Sequence, residues 1–375
     1  MDGFGQHVDV AERAYRPCPA FSIATIRHLG GADRRLAAVA LNVIPRTLVR
    51  TSKSGSELPQ PRKDLMKFGL RHLIDGATVD LVEESRRFNA NAMQAAARQS
   101  QPDLSTPEGL RAARSQLSRR PTNPRAVERI AGANGHEVQV RVITPRKGPV
   151  RAVYLQIHGG GFYMDSASRS DTRNALLADA VGLAVVSVDY RLAPEHPWPA
   201  APGDCETAAI WLVEQAETLF GTNRLMIGGA SAGANLAMAT LLRLRDGVHV
   251  RPFIGAVLQF GAYDLSGQSP SGRLYADEWF IKAYAGHVPD RTNPDLSPLY
   301  GDLRDLPPTL LVVGALDILL EDSLAMAARL SAAGNDVEVR VYPESPHAFT
   351  SFPTATAAAA LNGIDSWLSG RLGAR

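Results

Sequence analysis

Cysteine is nearly absent. The 375 residues hold two, Cys18 and Cys205, far apart in sequence, which excludes a disulfide framework and a thiolate metal site. No apolar run approaches the ~20 residues needed to cross a bilayer. The opening stretch MDGFGQHVDVAERAYRPC is acidic and polar where an export signal is basic and then apolar. The expectation is a cytoplasmic chain with reduced thiols and no stable membrane insertion. Strong net charge is missing as well, at +2 overall. With 45% hydrophobic and 21% charged residues the composition is that of a folded globular protein, which excludes a disordered or collagen-like chain.

The charge is unevenly placed. Residues 1–125 carry 20 Lys and Arg against 12 Asp and Glu, and residues 126–375 carry 20 against 26. In the basic part Arg13, Arg34, Arg35, Arg71, Arg86 and Arg120 alternate with acidic residues, as on a solvated helical surface, so nucleic acid is not the expected partner. From Val10 to Ser100 apolar residues recur at spacings of three and four, a helical pattern broken by the polar, proline-bearing stretch Thr51–Asp64. Near Arg125 the texture changes. Eight β-rich runs follow: AVERIAG, HEVQVRVIT, AVYLQIHGG, LAVVSVDY, RLMIGGAS, IGAVLQFGAYD, PTLLVVGALD and VEVRVYPE. Ala133-Asn134-Gly135 joins the first two as a hairpin, while the later runs are apolar throughout with helical stretches between them. The predicted fold is α/β: an eight-stranded, mostly parallel sheet with helices on both faces. In such a sheet ligand chemistry sits at the carboxyl ends of the strands.

Those ends hold the reactive residues. The third run ends in His158-Gly159-Gly160-Gly161, the fifth in Gly229-Ala230-Ser231-Ala232-Gly233, and the seventh in Asp317; the eighth leads into Pro346-His347. Ser231 lies between an apolar strand and an Ala/Leu helix, with small residues on both flanks, as a sharp turn that lifts a hydroxyl above the sheet requires. A serine hydroxyl needs a base to remove its proton, and the base needs an acid to hold its tautomer. Of nine histidines only His249, His287 and His347 follow Ser231. His249 sits in a charged loop and His287 in a polar helical stretch, so His347, directly after the last strand, is the candidate base. For the acid, Asp317 closes its strand and gives the chain order Ser, Asp, His. Asp264 and Asp322 are its rivals, Asp322 being placed to serve a helix N-terminal region. Acyl transfer also needs fixed donors for an oxyanion, worth roughly 3–4 kcal/mol each. The amides of Gly160, Gly161 and Ala232 are the candidates, with His158 ordering their loop.

The segments HGGGF (158–162), DYRLAPEHPWPA (189–200), GGASAGANLA (228–237), GALDILLEDS (314–323) and PHAF (346–349) together resemble the bacterial hormone-sensitive lipase family of α/β-hydrolases, over about residues 126–375. The resemblance implies a serine carboxylesterase with Ser231, Asp317 and His347 as its triad. It further implies an oxyanion hole from Gly160, Gly161 and Ala232, a helical cap partly inserted at about residues 266–290, and the segment 189–200 as scaffold. Residues 1–125 would be a cap and extension longer than the family's usual one. Two positions depart from the common pattern, Ala230 before the serine and Ala234 after the turn, and both are small enough to preserve it.

The expected substrate is a small-molecule ester of short to medium acyl chain, with no metal or organic cofactor. An amidase or deacetylase on the same triad, and a non-catalytic receptor of this fold, are the alternatives. His347 in order with Asp317 speaks against the receptor. Pairing of two copies through the last strand is a further implication of the resemblance.

Overall fold

Strands that are apolar at every position are stable only when both faces are covered, and that requirement organises the molecule. The computed structural model describes residues 76–97, 102–118 and 123–373. The expected loop Thr51–Asp64, the helical pattern ahead of residue 76, Cys18 and all the arginines named above except Arg86 lie outside these residues. Among the described residues no helix is long and apolar enough to cross a membrane.

Among the described residues two helices precede the sheet, α1 (Gly76–Ala97) and α2 (Pro107–Ser118). Strands β1 (Val127–Ala133) and β2 (His136–Ile143) form the expected hairpin, with Asn134 and Gly135 both at positive φ. Then β3 (Ala152–Ile157), α3 (Asp171–Val181), β4 (Leu183–Val188), α4 (Ala200–Phe220), β5 (Leu225–Ala230) and α5 (Ala232–Arg243) alternate. After β6 (Phe253–Gln259) comes an excursion that contains the short helix α6 (Trp279–Ala285). The chain closes with β7 (Thr309–Gly314), α7 (Leu320–Ala332), β8 (Val337–Tyr342) and α8 (Ala355–Gly373).

The eight strands form one sheet in the order β1-β2-β4-β3-β5-β6-β7-β8; β2 runs antiparallel to its neighbours and every pair from β4 to β8 is parallel. Alternate strand residues go to opposite cores. Val153, Leu155 and Ile157 pack with α4, α5 and α7, whereas Ala152 and Tyr154 pack with α3 and α8. A third, smaller cluster joins Leu110 and Ala113 of α2 to Tyr163 and Met164, with Trp279 and Phe280 of α6 against it. The segment between β6 and β7 thus reaches the turn after β3. At the edges β1 is largely exposed and β8 half-buried, β2 is buried mainly toward its C-terminal end, and β3 to β7 are buried almost throughout.

In the middle of β7 Leu311 is wholly buried, and β7 leads directly to Asp317. Leu311→Ala should cost about 2–5 kcal/mol of unfolding free energy in a urea titration, through lost transfer energy and a residual cavity.

Candidate active site

The turn from β5 into α5 is tight because its glycines let three backbones meet. A Cβ on Gly229 would lie 2.2 Å from the carbonyl oxygen of Gly233, and one on Gly233 would lie 2.2 Å from that of Ile157 at the end of β3. Between them Ser231 adopts φ 55° and ψ −119°, a conformation that costs a non-glycine residue roughly 1–3 kcal/mol. It is held there by its own N–H, which donates to the carbonyl of Gln259 at 2.9 Å, and by its carbonyl, which accepts from the amides of Ala234 and Asn235 in the first turn of α5. Asn235 is fully buried and donates to the carbonyls of Ala262 and Leu296, tying α5 to the chain beyond β6.

The Ser231 hydroxyl lies 3.0 Å from His347 Nε2. His347 Nδ1 lies 2.9 and 3.1 Å from the two oxygens of Asp317. A carboxylate only accepts, so Nδ1 carries the ring hydrogen and Nε2 is left to accept from the serine. The Asp317 carboxylate is fully buried and also accepts the Leu319 amide at 2.8 Å, which fixes it independently of the histidine. Phe260 meets the imidazole edge-on at a centroid distance of 5.2 Å. Residues from β5, from the tail of β7 and from the loop after β8 thus converge at one point on the carboxyl edge.

The turn after β3 stands next to this point. Gly160 and Gly161 take φ 107° and 62°, and a Cβ on Gly160 would lie 2.1 Å from the Met164 carbonyl oxygen, so only glycine fits. Among the described residues the amides of Gly160, Gly161 and Ala232 have no hydrogen-bond acceptor. The turn is braced from several sides. The His158 ring contacts the Gly159 carbonyl through Nδ1 at 2.7 Å and stacks on Tyr190, whose hydroxyl donates to the carbonyls of His158 and Gly159. The Ala193 amide donates to the Phe162 carbonyl. The segment 189–200 therefore props the turn, and the peptide bonds preceding Pro194 and Pro199 within it are cis. From outside, Arg114 of α2 donates to the carbonyls of Tyr163 and Ala193 and pairs with Glu195. Phe162 stacks on Tyr284 of α6 at 4.0 Å. Nothing in the sequence marked Arg114, because an arginine on a helix that binds carbonyls has no local pattern.

The remaining candidates lie elsewhere. His249 follows a π-turn that extends α5, and His287 follows α6, 6.3 Å from the Trp198 ring. Asp264 turns toward the segment after β6, accepting the amides of Ser266 and Ser269 at 2.9 and 2.7 Å. Burial raises its pKa, but the hydrogen bonds from Ser266 and Ser269 outweigh that and hold the carboxyl below the usual range.

Comparison with known proteins came to the same region. A family profile described as alpha/beta hydrolase fold matches residues 154–351. An ethyl acetate hydrolase of Pseudomonas putida is 33% identical over 230 residues, covering 58% of this chain and 72% of that protein. The carboxylic ester hydrolase LipN of Mycobacterium tuberculosis is 29% identical over 327 residues, covering 78% and 82%. Among solved structures, a hormone-sensitive lipase from a metagenome library superposes with a TM-score of 0.65 at 30% identity, over 77% of this chain and 98% of that one.

Asp322 has a part that its position in the first turn of α7 did not suggest. It is fully buried and accepts three donors: the Tyr275 hydroxyl at 2.6 Å, the Tyr263 amide and the Asp264 amide. It thereby ties α7, just behind Asp317, to the segment that leads to α6. Burial pushes its pKa up from 3.8 to about 6, against the pull of those hydrogen bonds. The folded state therefore keeps a proton that the unfolded chain releases between about pH 4 and 6, so this residue's contribution is fully favourable below that window and is lost as pH rises through it. The change is on the order of 3 kcal/mol. Urea unfolding of wild type and Asp322→Asn across pH 4 to 7 should show a wild-type stability that declines relative to the variant as pH rises. A constant difference would refute the raised pKa.

Proposed function

The chain belongs to the α/β-hydrolase family, in its bacterial hormone-sensitive lipase branch, and from that membership we propose that it is a serine carboxylesterase acting on carboxylic esters of short to medium acyl chain. One observation carries the reading: the continuous hydrogen-bonded line from the buried Asp317 carboxylate through His347 to the Ser231 hydroxyl. The activities of the relatives, an ethyl acetate hydrolase and a carboxylic ester hydrolase by name, support the ester as substrate class.

In this reading Ser231 Oγ attacks the acyl carbon while His347 Nε2 takes its proton. The carbonyl oxygen becomes an oxyanion and is met by the amides of Gly160, Gly161 and Ala232, which have no acceptor among the described residues. Collapse breaks the bond to the alcohol oxygen, which leaves with the proton from His347 and strands the acyl group on Oγ. A water then gives its proton to His347 and attacks the acyl carbon. The second collapse releases the carboxylic acid and returns the proton to Ser231. Asp317 keeps Nδ1 protonated and stabilises the imidazolium that forms twice in each cycle. His347 within hydrogen-bond reach of Ser231 favours this over a ligand-binding receptor of the same fold. A cytoplasmic location belongs to the same reading, supported by a sequence with only two cysteines, far apart.

Hydrolysis of p-nitrophenyl esters tests the proposal. Ser231→Ala and His347→Ala should each lower kcat by roughly 10⁴-fold or more, and the double variant should lose little beyond either single one, because residues acting as a unit are not additive. Asp317→Asn should cost up to about 10⁴-fold. If Asp264→Asn, still folded, lost more activity than Asp317→Asn, the assignment of the acid would be wrong. Full activity in Ser231→Ala would sink the esterase reading.

A further inference from the structure

We infer that helix α1 positions His347: one of its faces clamps both ends of the loop that carries this base, so α1 belongs to the machinery that sets turnover and is more than a cover. The inference rests on His347 being the base, as proposed above.

The loop runs from residue 343 to 354, between β8 and α8. His347 sits in it between two non-glycine residues at positive φ, Glu344 at 48° and Ala348 at 61°. Such residues are uncommon and persist only where their surroundings over-determine them. On the inner side the surroundings are clear. The Ser345 carbonyl accepts the Leu316 amide at 3.0 Å, and the Thr350 hydroxyl donates to the Gln259 side chain at 3.0 Å. The Ala348 carbonyl closes its own turn by accepting from the amide and hydroxyl of Ser351. The Ser345 hydroxyl donates to the Pro343 carbonyl across Glu344 at 3.0 Å, but none of these contacts engages Glu344 itself.

Helix α1 holds it. Asn89 Nδ2 donates to the Glu344 carbonyl at 2.8 Å, and Arg86 Nη2 pairs with the Glu344 carboxylate at 2.8 Å. At the far end of the loop Glu84 accepts the Ala355 amide that opens α8, and Ser85 donates to the buried Thr356 hydroxyl at 2.8 Å. Between these anchors Phe88 lies on Phe352 with ring centroids 5.1 Å apart. The contacts lie at positions 84, 85, 88 and 89, the spacing that puts side chains on one helix face, with Arg86 reaching in from the flank. An exposed ion pair such as Arg86 with Glu344 is weak alone. The carbonyl bond from Asn89 is the contact that sets the Glu344 backbone. A helix that only covered α8 would need neither it nor Arg86.

The consequence is separable from folding. Loosening Glu344 frees the backbone three residues ahead of His347, and a misplacement of about 1 Å in a reacting group can cost 10²-fold. Binding of the ester does not use these contacts, so KM should hold while kcat falls.

The full-length Arg86→Ala/Asn89→Ala variant tests this with a short-chain p-nitrophenyl ester. The expected result is a kcat lowered about 10- to 100-fold, a KM within about twofold of wild type and an unchanged circular dichroism spectrum. Adding Glu344→Gly, which adopts the left-handed conformation unaided, should restore kcat to within about threefold of wild type. A kcat equal to wild type, a change confined to KM, or a loss that Glu344→Gly does not repair would each overturn the proposal. Should the double variant not fold, Asn89→Asp, which removes the donor at nearly constant shape, carries the same expectations. Ester hydrolysis by wild type that vanishes in Ser231→Ala while the clamp variant keeps full kcat would overturn the clamp alone. No dependence on Ser231 would overturn the esterase reading itself.

Discussion

Ser231 holds a backbone conformation that only a surrounding structure can impose, and the close approach that imposes it also creates the site. Gly229, Gly233 and Ile157 meet at distances that exclude any side chain on the two glycines. This contact presses the start of α5 against the end of β3, where a Cβ on Gly159 would lie 3.4 Å from that of Ser231. The serine is raised and, in the proposed mechanism, the oxyanion donors are gathered by the same packing. A looser turn would separate both from the His347 loop.

Around that contact the molecule is built in concentric supports. The parallel strands deliver β5, β7 and β8 to one edge, so that Ser231, Asp317 and His347 need only short loops to meet. The turn after β3 is held by Tyr190 and Ala193 from below and by Arg114 and Tyr284 from the helices above it. Asp322 joins α7 to the chain beyond β6 through buried hydrogen bonds, and a group with several buried donors leaves little slack. Helix α1 supports the remaining loop. Each catalytic group in the proposed mechanism is thus fixed by a different element of the fold.

Much of this was legible in the residues. Apolar runs without alternation implied buried parallel strands, Asn134-Gly135 implied the hairpin, and small residues around Ser231 implied the turn, because each is a local requirement of backbone geometry. The pairing of Asp317 with His347 could be reasoned from chain order and strand ends. What stayed hidden were side chains whose partners are backbone carbonyls far away in sequence: Arg114, Asn235 and Asn89 bind across 27 to 255 positions of chain and leave no periodic or compositional trace. Asp322 was visible as an acidic residue opening a helix, yet its three donors come from a segment nearly fifty or more residues earlier. Tertiary hydrogen bonds of this kind depend on how elements are stacked, which spacing within one element does not report.

The most direct test is covalent. A fluorophosphonate reacts only with a serine hydroxyl whose base and oxyanion donors are assembled, and loses fluoride as its phosphorus bonds to Oγ. With the folded wild-type chain, intact-mass and peptide mass spectrometry should find one adduct per chain, on Ser231 alone, and none on Ser231→Ala. No adduct on the wild type, or one on a different serine, would contradict the account.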